Sequence, residues 1–159
     1  MILYHASNMS VERPRLIRPN RHLDFGLGFY TTSNKEQAVD FARKTTERLK
    51  AGQPTVNVYF IDESKIKACS ILSFDTPNEA WLDFVCANRS NTYSGKKFDI
   101  IIGPVANDDV YTTVAAYING TFSKEVALAA LKVKKLFNQY VFATEKALSF
   151  LAFQGAELQ

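Results

Sequence analysis

Alternating apolar runs and longer runs of helical period follow one another along this chain, and their order predicts the architecture. Residues 2–5 and 28–32 read as strands, separated by a loop over 8–23 that Pro14 and Pro19 break. Ser33, with Glu36 three residues later, forms a capping box. Ala38, Phe41, Ala42, Thr45 and Leu49 then recur at helical spacing until Gly52 ends the run. Residues 55–61 alternate as a strand, with Val56, Val58 and Phe60 on one face and Asn57, Tyr59 and Ile61 on the other. A short strand is expected over 69–74. Thr76, Pro77 and Glu79 mark a helix start, after which Trp81, Phe84, Val85 and Asn88 share a face. Residues 98–103 predict a buried strand ended by Gly103-Pro104. Asn107 or Asp108 is the expected cap of a helix through Ile118, and Ser123 of another through Lys134. A strand over 138–143, a short helix over 144–151 and a last strand in the tail complete the pattern. The gaps do not repeat as regular βαβ units, so the expectation is a mixed α+β domain with a largely antiparallel sheet.

Composition bounds the class without naming a function. At 159 residues the chain suits one domain with one core, residues 1–159. Apolar residues at 47% and charged residues at 22% exclude a disordered chain. The longest apolar runs, such as Ile100-Ile101-Ile102, are far too short to span a bilayer. The N-terminus has no basic stretch followed by an apolar one, so no secretory signal is expected and the cytoplasm is the expected compartment. Cys69 and Cys86 read as reduced core thiols. The net charge of +3 is uneven, since residues 1–50 hold nine Lys and Arg against five Asp and Glu. Arg13, Arg15, Arg18 and Arg21 concentrate it in the first loop. Such a loop suits phosphate, or is simply solvated surface. With a sequence pI of 8.8, nucleic acid is not an expected partner.

Several chemistries are set aside by residue type and spacing. His5, His22 and two distant cysteines offer no zinc site of ordinary spacing. Gly26 and Gly28 form G-x-G, but no third glycine follows and the next residues read as strand, which does not support a dinucleotide fingerprint of the Rossmann kind. No serine sits in a G-x-S-x-G elbow. His5 alone reads more readily as a hydrogen-bonded structural residue than as a functional one, and Tyr30 as an ordinary strand tyrosine. Gly28 before Tyr30 marks a close backbone approach or a bulge.

Taken jointly, Tyr4-His5-Ala6-Ser7, the segment DFGLGFY at 24–30, and Gln139 on a late strand resemble the ADP-ribosyltransferase superfamily in its histidine–tyrosine–glutamate branch. More narrowly, the chain resembles a bacterial family of unannotated function placed in that superfamily. Its members begin Tyr-His-Gly-Ser, continue through Asp-Phe-Gly-x-Gly-Phe-Tyr and carry a Val-Asn-x-Tyr strand, here Val56-Asn57-Val58-Tyr59. Trp81-Leu82-Asp83-Phe84, Asn88-Arg89, the segment DIIIGPVAND at 99–108 and Thr144-Glu145-Lys146-Ala147-Leu148 extend the resemblance over nearly the full length.

The resemblance implies an ADP-ribosyltransferase-like fold, with mainly antiparallel split sheets and flanking helices, and NAD as substrate. His5 would hold a ribose hydroxyl, with the backbone at Ala6 and Ser7 reading the carboxamide. Tyr30, entered through Gly28 and Phe29, would stack on the nicotinamide. Arg13, Arg18 or their neighbours would pair the diphosphate. Two departures stand out. Ala6 replaces the family's glycine, and Gln139 stands where active transferases carry glutamate. An amide offers hydrogen bonds but no full charge. Asp108 is the preferred substitute carboxylate, with Asp109 and Glu145 as alternatives, and Asp108 reads equally as a helix cap. The implied activities are mono-ADP-ribosylation of a macromolecular acceptor or NAD hydrolysis. A catalytically weak module binding NAD or ADP-ribose is the alternative. Small bacterial proteins of this kind are often toxins or effectors, which implies an antitoxin-like partner by analogy.

Overall fold

The computed structural model describes residues 1–18, 22–105, 108–132 and 136–159, with Asp108 and Asp109 described in backbone alone. The chain lays down β1 (Ile2–Ser7), β2 (Phe29–Thr32), α1 (Lys35–Leu49), β3 (Thr55–Ile61), α2 (Glu63–Ile66), β4 (Ile71–Ser73) and α3 (Glu79–Arg89). Then follow β5 (Ile100–Pro104), α4 (Asp108–Ile118), α5 (Lys124–Lys132), β6 (Asn138–Phe142), α6 (Glu145–Leu148) and β7 (Leu151–Leu158).

The seven strands form one sheet in the order β4-β5-β6-β2-β1-β3-β7. All neighbours are antiparallel except β4 and β5, which run parallel. The α+β class is therefore as expected. The sheet, however, is one mixed seven-stranded sheet where two split sheets were expected. Its halves are joined at β1 and β2 by a single registered pair, Tyr4 with Thr32, whereas β1 and β3 pair over six residues. That narrow joint is the main irregularity of the sheet.

Strand alternation sends side chains to two faces, and different helices cover them. On one face α3, α4 and α5 bring Trp81, Leu82, Val85, Val110, Val114, Ala127 and Leu131 down on Ile101 of β5 and Val141 of β6. Full burial of side chains of this size is worth about 1.5–3 kcal/mol each. The other face gathers Leu3, Phe29, Tyr59, Ile61, Ile100 and Phe142 under Ala147, Leu148 and Leu151. Ala38 and Ala42 of α1 close on Val56, with Tyr4 and Ala6 packed beside them. Small residues at i and i+4 let α1 lie close to the sheet.

Several local expectations shift. The cap of α1 is Asn34, not Ser33: its Oδ1 accepts from the Gln37 N–H, and the Gln37 side chain instead accepts from Thr32. Leu49 at the end of α1 is exposed rather than in the buried stripe. The cap of α3 is Asn78, which accepts from the Trp81 N–H, so Thr76 and Pro77 lie before the helix. The strand expected over 69–74 shortens to β4. Asn107 lies outside the described residues, as does the Asp108 side chain, so the cap of α4 is not described. Ser123 does cap α5, taking the Val126 N–H, while the end of that run at Lys134 lies outside the described residues. The short α2, capped by Asp62, has no counterpart in the apolar pattern because none of its residues is buried.

Candidate functional site

The site is built where β1 and β2 part. Beyond Tyr4 and Thr32 the two strands diverge, and the His5 imidazole leans into the space between them. Its Nδ1 lies 2.7 Å from the Tyr30 carbonyl oxygen. A carbonyl can only accept, so Nδ1 carries the proton and Nε2 presents a lone pair. The ring stacks on Phe29 at 4.1 Å, and Phe29 in turn meets Tyr59 edge-on. Desolvation pushes the His5 pKa down to about 4, against the opposing pull of the Tyr30 carbonyl, so the imidazole is neutral at pH 7. His5 keeps some exposure. Among the described residues no donor reaches Nε2.

Tyr30 faces the other way. It pairs with Val141 across β2 and β6, and its ring packs on the cluster beneath α3–α5. Its hydroxyl donates to the Gly26 carbonyl at 2.7 Å and accepts from the Phe25 N–H at 3.1 Å. The turn over 24–28 is thus tied to the strand that follows it. α3 grips the same turn from outside. Arg89 Nε donates to Asp24 Oδ1 at 2.5 Å, with both side chains largely covered, and the guanidinium lies 4.5 Å above the Tyr111 ring. Gly26 has φ +75°, and a Cβ there would sit 2.8 Å from Asn88 Oδ1, so both conformation and space demand glycine. At Gly28 the close approach is internal: a Cβ would meet Val141 Cγ1 at 2.3 Å. The side chain of β6, not a ligand, accounts for that glycine.

Gln139 is 6% exposed and lies on the same face as Tyr30, opposite Thr32 in β2 and Gly103 in β5. Its Nε2 donates to the Pro104 carbonyl at 3.5 Å, a long contact. Of the substitute carboxylates, Glu145 is exposed on α6, beyond the far end of β6. The Asp108 and Asp109 side chains lie outside the described residues. The structure therefore brings Tyr30 and Gln139 to one face and places His5 on the other, linked to Tyr30 through a backbone carbonyl. Two hollows on the described surface, one between α1 and Phe137 and one between Pro77 and Leu131, are not lined by His5, Tyr30 or Gln139. The place beside His5 is a parting of strands, not a cavity.

The first loop leaves β1 at Ser7 and borders this parting. Ala6 turns toward α1 and Ser7 is buried. Asn57 sits opposite His5 in the β1–β3 register and is fully buried. Its Oδ1 accepts from the Val11 N–H at 2.7 Å and its Nδ2 donates to the Met9 carbonyl at 3.1 Å. The Tyr59 hydroxyl donates to the Val11 carbonyl, and burial holds that phenol well above its ordinary pKa. Arg13, Arg15 and Arg18 are exposed, while Arg21 lies outside the described residues. Burial raises both thiols, Cys86 to about 11, so neither is an activated nucleophile. Among the described residues no group of three His, Cys, Asp or Glu could hold a metal ion, and no helix is long and apolar enough to cross a membrane.

Comparison with known proteins places the chain. A family model described as a protein of unknown function, DUF3990, matches residues 1–153. The chain belongs to the DUF3990 family. No curated protein and no solved structure matches it. In this DUF3990 chain the residues that sequence reasoning missed are the ones that hold loops: Asn57 and Tyr59 for the first loop, Arg89 with Asp24 for the glycine turn. A signal existed for each. A buried-face asparagine in an alternating strand is unusual, and Asn88-Arg89 ends a helix whose other face is apolar.

Proposed function

We propose that this protein is an NAD-directed, ADP-ribosyltransferase-like protein whose ligand enters the parting between β1 and β2, and that its cleavage of the nicotinamide–ribose bond is slow. The observation that carries this reading is His5, held in one tautomer by the Tyr30 carbonyl with Nε2 open as an acceptor. A neutral imidazole so fixed suits a sugar hydroxyl, which donates to Nε2 without a change of protonation. Tyr30 supplies an aromatic ring whose orientation is set by the two hydrogen bonds of its hydroxyl. A ligand touching His5, Tyr30 and Gln139 lies in the parting itself, because those residues belong to opposite faces.

In the reaction, water or an acceptor nucleophile bonds to the ribose anomeric carbon as its bond to the nicotinamide nitrogen breaks. The electron pair leaves with nicotinamide, and the nucleophile's proton goes to solvent. Gln139 can orient a hydroxyl but cannot neutralise the developing cation, and the loss of such a term costs about 10²–10³ in rate. Burial of Gln139 favours a second reading, a module that binds NAD or ADP-ribose without turnover. A macromolecular acceptor and an antitoxin-like partner belong to the same proposal, from the resemblance alone.

Nicotinamide release from NAD, followed for the wild type, His5→Ala and Gln139→Glu, separates the two. Slow release abolished by His5→Ala and accelerated by Gln139→Glu is the expected result. Release only from Gln139→Glu establishes the binding module. Silence from all three, with no thermal stabilisation by NAD, overturns both.

A further inference from the structure

The charges of the two loops beside the parting are arranged differently. Asp24 and Arg89 neutralise each other under cover. Arg13, Arg15 and Arg18 are exposed, and among the described residues no carboxylate or other group pairs with them. Segment 12–18 holds these three arginines against one glutamate, Glu12. Unpaired guanidinium groups on a wholly mobile loop would need no explanation, yet this segment is anchored. Its root is sewn to β3 by Asn57 and Tyr59, as a neighbouring strand would be. Farther along, Val11 and Leu16 pack on the cluster that contains Phe29, the ring beneath His5. Residues 14–18 carry no helix or turn. Pro14 and Leu16 are partly covered while Arg13, Arg15 and Ile17 stand out. In an extended chain, residues two apart share a side and lie about 7 Å from each other. Arg13 and Arg15 are thus presented together. The loop runs from the end of β1 to the start of β2, the two strand ends that part beside His5.

We infer that segment 12–18 is an anion site, with Arg13 and Arg15 as its principal donors, that takes the diphosphate of a dinucleotide whose ribose hydroxyl reaches His5. The dinucleotide part of this inference rests on the function proposed above, while the anion site is testable without it. Two forked guanidinium groups at that spacing match two linked phosphates better than one, since each can bind a separate phosphate through paired N–H donors. Asn57 acts at one remove, as a positioning residue that keeps the pair at the parting.

The test uses the intact protein and three probes: inorganic pyrophosphate, AMP and a short single-stranded RNA, titrated calorimetrically at low and moderate salt. The wild type is expected to bind pyrophosphate saturably and more tightly than AMP. The double variant Arg13→Gln/Arg15→Gln, altered only at exposed positions and so expected to fold, weakens pyrophosphate binding by about tenfold or more. Asn57→Ala, read on its folded fraction, weakens pyrophosphate while leaving inhibition by free nicotinamide unchanged. Absence of pyrophosphate binding, or binding indifferent to the double variant, overturns the inference. RNA bound more tightly than pyrophosphate, with a steep salt dependence, overturns it in favour of a nucleic-acid surface. Nicotinamide release by the same preparations is scored separately. A protein that binds pyrophosphate through the arginines but never releases nicotinamide supports the site and removes only the catalytic reading.

Discussion

Two loops border the parting of β1 and β2, and they are held by different means. The glycine turn over 24–28 is fixed along its whole length: Phe25 is in the core, Gly26 accepts from Tyr30, and Asp24 is paired with Arg89. The loop over 8–18 is fixed at its root by Asn57 and Tyr59 and by apolar contacts at Val11 and Leu16, while its arginines point outward. The contrast teaches what a charged residue in a loop is for. A guanidinium that has found a carboxylate under cover is part of the fold. One that is anchored from behind and left unpaired is available to something outside the chain.

Breaking the covered pair should have the largest effect. Arg89→Ala leaves Asp24 a largely buried carboxylate without its partner, at an expected cost of roughly 2–4 kcal/mol in urea unfolding. A loss below about 0.5 kcal/mol, the level of an ordinary surface substitution, would put the pair in the same class as the exposed arginines. Next comes the root of the other loop. Asn57→Ala strands the Val11 N–H and the Met9 carbonyl, for about 2–3 kcal/mol. Hydrogen exchange at Val11 should then quicken well ahead of exchange in β3, and equal acceleration in both would mean that Asn57 serves the whole sheet.

The effect of pH bears on His5 between the loops. Its folded pKa, about 4, is depressed from an ordinary 6.5, so between those values the unfolded chain binds a proton that the folded one does not. Stability contributed by the neutral imidazole is complete above pH 6.5 and is lost progressively as pH falls towards 4. Denaturation midpoints measured across that range should decline for the wild type and flatten for His5→Gln. Parallel slopes would assign the decline to other groups. The smallest effect belongs to the free arginines. Arg13→Gln with Arg15→Gln should leave stability within about 0.5 kcal/mol of wild type. A larger loss would show that these side chains, like Arg89, have a partner in the fold.

Much of the architecture was legible along the chain because its signals are local. Val56 to Ile61 alternate strictly, and the observed strand has the expected bounds. The helix beginning near Ser33 was equally plain, although its cap moved by one residue. Asn34 and Ser33 are both good caps, and the choice between them depends on the Thr32–Gln37 hydrogen bond from the strand before. The candidate site was legible only as a set of residues. His5 at the end of a first strand and Tyr30 after two glycines could be named. Their assignment to opposite faces could not, because it depends on the register of β1 against β2 and of β2 against β6. Gly28 shows the same limit: the sequence signals a close approach, and the fold reveals that Val141 makes it.

Local patterning settled which segments are strands and helices, the α+β class and the residue types available for chemistry. These follow from periodicity and capping, which act over a few residues and need no knowledge of the rest of the chain. Long-range pairing settled the remainder: a single sheet with a one-pair joint, the tautomer of His5, the union of Asp24 with Arg89 and the anchoring of Val11 by Asn57. Each of these joins positions tens of residues apart, 65 for Arg89 and Asp24. A charge or an amide carries no mark in the sequence of the partner it will meet. Only the packing of the sheet against its helices brings the two within hydrogen-bond reach.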